Sequence, residues 1–536
     1  MSTVGIKVPH PNPGANDPFE AAGRQMHFIG IGGCGMSGLA RMALARGAAV
    51  TGSDREPTAV TEGLARQGFA ISFEQDDDQI PDGTALIVCS AAIKPDHPEL
   101  IAAQERGLPV LTYAEALGKC MRHATGVAIA GTHGKSTISA MLGCTLIGAG
   151  IDPTVIVGAT CAQLSTNTCD AHQNGSLAAV PTGFRMGSDK IPIGPYAHRP
   201  GVLVAEACEY NRSFHHLAPT LAAISSVEAD HLDIYGSLDA VIEAFHEFAS
   251  LLPSADENGY LLINHDGAHR REVTAGLGCA VETLGFDPAA DWHVTYDSSA
   301  RRVGLNRGPE HVANWIVQLP GAHMALDSAF AAVLALRLGA DIQRVTRALE
   351  GFGGLDRRMQ FLGRKHVEPS SATVDDVGGV RVYDDYGHHP TEIDATLRAL
   401  REYEKPELHG GRLICVFQPH QHSRTRFFLE EFAQSFSHAD IVIVPHIYFV
   451  RDSEKEKTQV AASDLVDRLR TRGVQAMHLY PFEAIVEQLN AICTDGDLLV
   501  VMGAGPVWKV AHGFLRSDRP ACSAEAVSSV NAAATA

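Results

Sequence analysis

Twice in this chain an apolar stretch runs straight into a glycine turn and then into residues spaced for a helix. The first begins MHFIGIGGCGMSGLARMALARG at Met26 and the second GVAIAGTHGKSTISAMLGCTLIGAG at Gly126. A strand that turns sharply into a helix commits its surroundings to βαβ units, because parallel strands need a crossover to return to the same sheet. The first unit continues through AAVTGSD to LIVCSAA and closes near Lys119. The second runs through VLVAEA and LAAISSV to a helix after Leu319, where HMALDSAFAAVLALRLGA is apolar at helical spacing. A loop rich in glycine and arginine, 351–358, leads to a third alternation: VRVYDDY, a helix from Thr391, RLICVFQ, a helix from Arg426, DIVIVP and LLVVMGAG. The fold class is therefore α/β in three domains: a Rossmann-like first domain, a central P-loop-type domain and a C-terminal Rossmann-like domain. A length of 536 residues, beyond what one core usually supports, agrees. The expected boundaries are 26–120, 121–355 and 356–516, with flexible tails at 1–25 and 517–536. The segment 161–200, rich in Thr, Asn, Gly and Pro, reads as a long loop or insertion.

Charge narrows the function. A formal net charge of −19 argues against nucleic-acid and anionic-membrane partners, which need basic faces, so an anionic substrate must be held by local devices. Eleven cysteines stand singly with no CxxC pair, as expected of reduced thiols in the cytoplasm. No apolar run approaches the ~20 residues of a membrane helix, and residues 1–25 lack a signal-peptide pattern.

The chemistry sits at the ends of the strands. Gly30, Gly32 and Gly35 form GxGxxG, and Asp54 ends the next strand. Glycines there let backbone approach a diphosphate at a helix N-terminus while the acid takes a ribose hydroxyl. The triplet alone leaves NAD(P) and a nucleotide sugar both open. Gly131-Thr132-His133-Gly134-Lys135-Ser136 suits the triphosphate of ATP, with backbone N–H groups around the phosphates, Lys135 on the outer ones and Ser136 or Thr137 on Mg²⁺. It is a short variant, since Ile129 stands where the longer phosphate-loop pattern has its first glycine. Glu206, ending VLVAEA, and His231, in VEADH, are candidates to ligate Mg²⁺, with Mn²⁺ as an alternative ion, near transferred phosphate. Each of them also reads singly as a cap or an ion-pair partner. The histidine clusters YDDYGHHP (383–390) and QPHQHSRTR (418–426) lack zinc spacing; an anion and amine site stands beside ordinary loop caps as their reading.

The order of these motifs resembles the Mur ligases: GIGGCGMSGLA with TGSD, GTHGKST, EACEYNRSF, VEADHLDIY, DDYGHHPTEIDAT, FQPHQHSRTR and a terminal GAG, over Met26 to Lys509. The resemblance implies that the first domain binds UDP-N-acetylmuramate through Gly30, Gly32, Gly33, Gly35, Met36 and Ser37, with Asp54 and Ser90 nearby. The central domain would bind MgATP through Gly131, Thr132, His133, Gly134, Lys135, Ser136 and Thr137, with Ser136, Glu206 and His231 on the metal. The third domain would close over both, with Arg357 or Arg358 toward the phosphates, Asp385 toward the nucleotide, and Tyr386, His388, His420 and Arg424 toward the amino acid. The implied catalytic groups are Lys135, His231, Arg357, Arg358 and His388. The implied reaction activates a carboxylate as an acyl phosphate, which the amine of L-alanine then attacks. The resemblance leaves a homodimer open.

Against that pattern, Cys208 and Tyr210 replace Asp and Ser, Met324 and Asp327 replace two asparagines, and Gln421 replaces an arginine. A relative adding another amino acid or a recycled tripeptide, an NAD(P)-dependent dehydrogenase, and a nucleotide-sugar-binding protein without catalysis are the rival readings. The dehydrogenase leaves Lys135 and its glycine loop without a purpose.

Overall fold

The computed structural model describes residues 22–165, 182–366, 378–450 and 452–517. Two compact units divide the chain, Met1–Asp356 and Arg357–Ala536. The first unit carries two sheets. Five parallel strands make the smaller one, in the order Ala70–Ser72, Ala49–Ser53, Gln25–Ile29, Thr84–Cys89, Val110–Thr112. The strand order reverses beside Gln25–Ile29, and in open α/β sheets such a switch point opens a crevice at the carboxyl ends of the strands.

The second sheet has ten strands. Its centre is Thr125–Ala130, flanked by Leu221–Ile224 on one side and Val202–Glu206 on the other, all parallel. All six residues of Thr125–Ala130 are buried, as the unbroken apolar run requires of a strand covered on both faces. The following helix, Lys135–Ala149, is apolar nearly all round and ends on Gly150 at φ +81°. Such a helix is stable only when enclosed, and Ala322–Arg337 and Ile342–Glu350 pack against it.

The helix Cys34–Ala45 of the first sheet is buried from Met36 to Ala43 and packs on two strands of the second, Thr154–Cys161 and Thr182–Arg185. Arg41, itself buried, donates from Nη1 to Thr182 Oγ1 at 3.2 Å and from Nε to Gln67 Oε1 at 2.8 Å. Burial lowers its pKa to about 10. The first two sheets therefore form one body.

Four expectations change in detail. The segment 161–200 is not one long loop: Thr182–Arg185 pairs antiparallel with Thr154–Cys161, and Lys190 bridges Pro200. The open edge of the parallel sheet supplies the hydrogen-bond partners that so short a run does not announce. Residues 166–181 of that segment lie outside the described residues. Of the expected tails, only 22–25 and 517 are described; Gly23 N–H bonds Gly47 O and Gln25 already begins the first strand. The helix expected from Arg426 is two short ones, His422–Phe427 and Leu429–Gln434, meeting at Phe428. The helix expected from Thr391 starts at Pro390, whose missing N–H and fixed φ suit the first helical position.

The second unit is a six-stranded sheet. Gln360–Lys365 runs antiparallel at one edge, followed by Val380–Asp385, Leu498–Met502, Leu413–Phe417, Ile441–Val444 and Gln475–His478, all parallel. The register sets Asp385 and Phe417 on either side of Met502. The loops that follow all three strands therefore emerge side by side.

Candidate functional site

The first glycine turn sits at the switch point of the smaller sheet. Gly30 has φ +80°, and the backbone N–H of Gly32 donates to Asp54 Oδ2 at 2.7 Å. A Cβ on Gly32 would lie 2.7 Å from that carboxylate oxygen and 2.8 Å from Thr61 Cγ2, so the turn closes only without a side chain there. Asp54 thus fixes the turn, and its other oxygen accepts from Arg55 N–H at 2.8 Å. Gly33 caps the helix Cys34–Ala45 with no side-chain hydrogen bond, leaving the first-turn N–H groups for an anion. Met36 and Ser37 point inward: Met36 belongs to the core, and the Ser37 hydroxyl donates to Cys34 O at 2.9 Å. These two can reach a ligand at the turn only through their backbone. Ser90 follows the neighbouring strand, its N–H bonded to Ile29 O at 3.0 Å.

The second glycine turn is braced from the side. Thr132 N–H donates to Ser226 O at 2.9 Å, His133 N–H to Ser226 Oγ at 3.0 Å, and Glu228 N–H to Thr132 Oγ1 at 2.9 Å. Gly134, at φ +82°, caps the helix that starts at Lys135, again with no side-chain cap. Ser136 and Thr137 are buried in the first turn of that helix. Lys135 curls back, its Nζ donating to Gly131 O at 2.5 Å, Thr132 O at 3.1 Å and Glu209 Oε1 at 3.0 Å. Burial opposes the charge, but the Glu209 carboxylate outweighs it and holds the lysine pKa above its ordinary value.

The strands on either side deliver the acid and the imidazole. Glu206 pairs in register with Ile129 and accepts from Gly158 N–H at 2.5 Å, staying half-buried. His231 occupies the left-handed region at φ +52°, its Nε2 3.7 Å from Asp230 Oδ2 and 4.0 Å from Glu209 Oε1, with its ring edge-on to Tyr210. A non-glycine residue held there stores backbone strain of about 1–3 kcal/mol, which persists where the surroundings dictate the position. A hydroxyl, a carboxylate and an imidazole following three adjacent strands are donor types that suit a hard divalent cation bound with phosphate. Glu209, buried between Lys135 and His231, was missed by sequence reasoning. Its only trace in the sequence is a second acid three residues after Glu206, which reads as well as a surface charge.

The second unit gathers its own cluster. Asp385, buried at the end of its strand, accepts from Met359 N–H and Gly387 N–H, both at 2.7 Å. Burial raises its pKa to about 6, against the lowering pull of Arg358 and those two N–H groups. Arg357 and Arg358 each lie with the guanidinium carbon 5.1 Å from the Tyr386 ring centroid. Arg357 is bound into the fold: Nε is 3.2 Å from Asp384 Oδ2, and Nη2 donates to Gly503 O at 2.5 Å in the terminal glycine loop. Arg358 is held more loosely, 3.9 Å from Glu392 Oε1. Tyr386, His388, His420 and Tyr448 form a chain of rings at 5.5, 5.5 and 5.7 Å. Arg424 is buried in the short helix after Gln421, a residue at φ +67°. Tyr448 and Asp452 also escaped the sequence reading; Asp452 fixes that helix by accepting from His422 N–H at 2.5 Å and Ser423 Oγ at 2.6 Å.

Comparison with known proteins matches three families in sequence along the chain: "Mur ligase family, catalytic domain" over 25–125, "Mur ligase middle domain" over 129–335, and "Mur ligase, glutamate ligase domain" over 357–505. A UDP-N-acetylmuramate–L-alanine ligase of Agathobacter rectalis is 35% identical over 92% of this chain and 97% of its own length. The protein of that name from Caldanaerobacter subterraneus is 34% identical over 92% and 98%. Among solved structures, a UDP-N-acetylmuramate-alanine ligase of Thermotoga maritima superposes with a TM-score of 0.70 at 23% identity, covering 91% of this chain and 98% of that one. A murein peptide ligase of Psychrobacter arcticus gives 0.66 at 23% identity, covering 92% and 98%. The two solved structures share the three-domain α/β fold of this chain.

Proposed function

The chain belongs to the Mur ligase family, and from that premise we propose that it joins L-alanine to the lactyl carboxylate of UDP-N-acetylmuramate with hydrolysis of ATP, in peptidoglycan precursor synthesis. The observation that carries the reading is the crevice of the second sheet, where Lys135 on its glycine turn lies between strands leading to Glu206 and His231. In this reading residues 26–120 bind the UDP-sugar, 121–355 bind ATP and 356–516 bind the amino acid, and the enzyme works in the cytoplasm.

A carboxylate does not react with an amine at neutral pH, because its oxygen leaves poorly. The lactyl carboxylate oxygen attacks the γ-phosphorus and ADP departs, leaving an acyl phosphate. The neutral amine of alanine adds to the acyl carbon, the tetrahedral intermediate expels inorganic phosphate, and the amine proton passes to a nearby base. The chain's part is positioning and electrostatics. The N–H groups of 131–137 surround the phosphates, and Lys135, released from Glu209, spreads charge on the transferring group. Arg358 is the freer guanidinium for that task in the second unit, while Arg357 holds the turn. His388, 3.5 Å from Glu392 Oε2, and His420 are the imidazoles able to take the amine proton. Arg424 and Tyr386 are assigned to the amino-acid carboxylate and its surroundings. Ser136, Glu206 and His231 would hold Mg²⁺ or Mn²⁺, which when bound neutralises charge on the phosphate oxygens.

The test is phosphate release by the purified full chain with MgATP and UDP-N-acetylmuramate, offering L-alanine, glycine, L-serine or a γ-D-Glu-containing tripeptide separately. Release dependent on both the UDP-sugar and L-alanine is expected. Release with the tripeptide alone would reassign the acceptor, and silence with all four would replace the enzyme by a binding protein.

A further inference from the structure

Tyr113 opens the helix Tyr113–Arg122, which Thr112 and Glu115 cap reciprocally. No motif in the sequence marks it. The capped helix starts just after the edge strand Val110–Thr112, and its first side chain reaches back over the glycine turn. A Cβ on Gly35 would lie 2.7 Å from both Cζ and Oη of Tyr113, so the absent side chain is the space the phenol end fills. The third glycine of GxGxxG therefore serves a tyrosine here, in addition to any ligand.

The neighbourhood of that hydroxyl is mixed. Glu206 and Cys208, from the crevice of the second sheet, act on it electrostatically, as does Cys34 from the first glycine turn. Burial first, and then Glu206, push its ionisation far above the usual phenol range, so it remains a hydrogen-bond donor at any working pH. Tyr113 is half-buried, and among the described residues no protein group holds its hydroxyl by a hydrogen bond, so the hydroxyl is open to a ligand at the turn.

We infer that Tyr113 Oη donates a hydrogen bond to the lactyl carboxylate of the UDP-sugar, between the first glycine turn and the Glu206 crevice. The inference rests on the function proposed above. A nucleotide sugar anchored at Gly30–Gly35 must extend its carboxylate toward the phosphate held beside Glu206; the phenol end touches the first of these places, and the Glu206 carboxylate acts on it from the second. A neutral donor suits that position: it binds a carboxylate without competing with Lys135 for the phosphate. The hydroxyl would stay bonded to the same oxygen as it becomes the bridging oxygen of the acyl phosphate.

The experiment compares Tyr113→Phe with the unaltered full chain, which is first shown to release phosphate with UDP-N-acetylmuramate, ATP and L-alanine. Failure at that step overturns the proposed function and not the placement of Tyr113. Phe keeps the ring over Gly35, and an unchanged Tm verifies the fold. Calorimetric titration then measures binding of UDP-N-acetylmuramate and of UDP-N-acetylglucosamine, which lacks the lactyl carboxylate. A hydrogen bond to a charged group predicts a loss of about ten- to a hundredfold for the first sugar and no change for the second. Steady-state kinetics should show KM for UDP-N-acetylmuramate raised and KM for ATP unaltered. Equal weakening of both sugars, or weakening of neither, overturns the inference.

Discussion

The two glycine turns of the first unit use one backbone device for different ends. Each follows a central parallel strand, each opens a helix whose first N–H groups have no side-chain cap, and each lies at the carboxyl end of its sheet. Beyond that they diverge. The turn at Gly30–Gly35 is tied by a carboxylate, Asp54 on Gly32 N–H, and carries no cation of its own. The turn at Gly131–Ser136 is braced by Ser226 and Glu228 and holds a lysine against a buried acid. A helix N-terminus attracts an anion in either case. On the proposed function, what separates the binding turn from the reacting one is the charge fixed beside it, because only a group that can follow charge onto the transferring phosphate lowers the barrier.

The sharpest way to break this comparison is Lys135→Ala. Phosphate release should fall by about a thousandfold or more, as when a main electrostatic contact is removed, while calorimetric binding of the UDP-sugar is unchanged. Loss of both together would show that the turns do not divide the ligands. The reciprocal change is Gly32→Ala, whose methyl collides with Asp54 and Thr61. Overpacking of about 1–3 kcal/mol predicts UDP-sugar affinity ten- to a hundredfold weaker, with ATP binding kept in an equilibrium assay.

A smaller effect is expected of Glu209→Gln, which removes the carboxylate that holds Lys135. The amide preserves shape and one acceptor, so kcat should drop by about tenfold, and the apparent pKa of the lysine should fall because the largest pull opposing burial is gone, leaving only Cys208 and Glu206 against it. An unchanged pH–rate profile would mean that Lys135 takes its charge from elsewhere.

The least effect concerns Asp385, which ties a turn in the second unit as Asp54 does in the first. Its carboxyl is raised to about 6, so the folded protein prefers it protonated. Its contribution is fully present below the unfolded value near 4 and is lost as pH rises through about 6. Relative to Asp385→Asn, the unaltered protein should therefore lose a few degrees of Tm between pH 4 and 7. A constant difference across that range would place the carboxyl in an ordinary ionised state.

Reading the chain forward recovers the strands that touch chemistry. The runs at Met26, Gly126 and Val202 are almost wholly apolar because they lie at or beside the centres of parallel sheets, and a glycine turn follows each of the first two directly. The strand Thr182–Arg185 was invisible: four residues at a sheet edge take their pairing from Thr154–Cys161 and have no pattern of their own. Glu209, Tyr113, Tyr448 and Asp452 were illegible for a related reason. Each matters through a neighbour distant in sequence: Lys135, Gly35, His420 and Ser423 respectively. The two arginines after Asp356 read as equivalent, and only their partners tell them apart, since Arg357 is tied to Asp384 and Gly503 while Arg358 is not.

Local sequence thus determined the three α/β alternations, the two uncapped helix starts and the residue types available at each strand end, since glycine, lysine and strand periodicity act within a few residues of themselves. Tertiary structure alone decided which of those residues share a crevice. The register sets Glu206 beside Ile129 and Asp385 beside Met502. Strand order and register depend on how whole faces are buried, and no short window of sequence contains that sum.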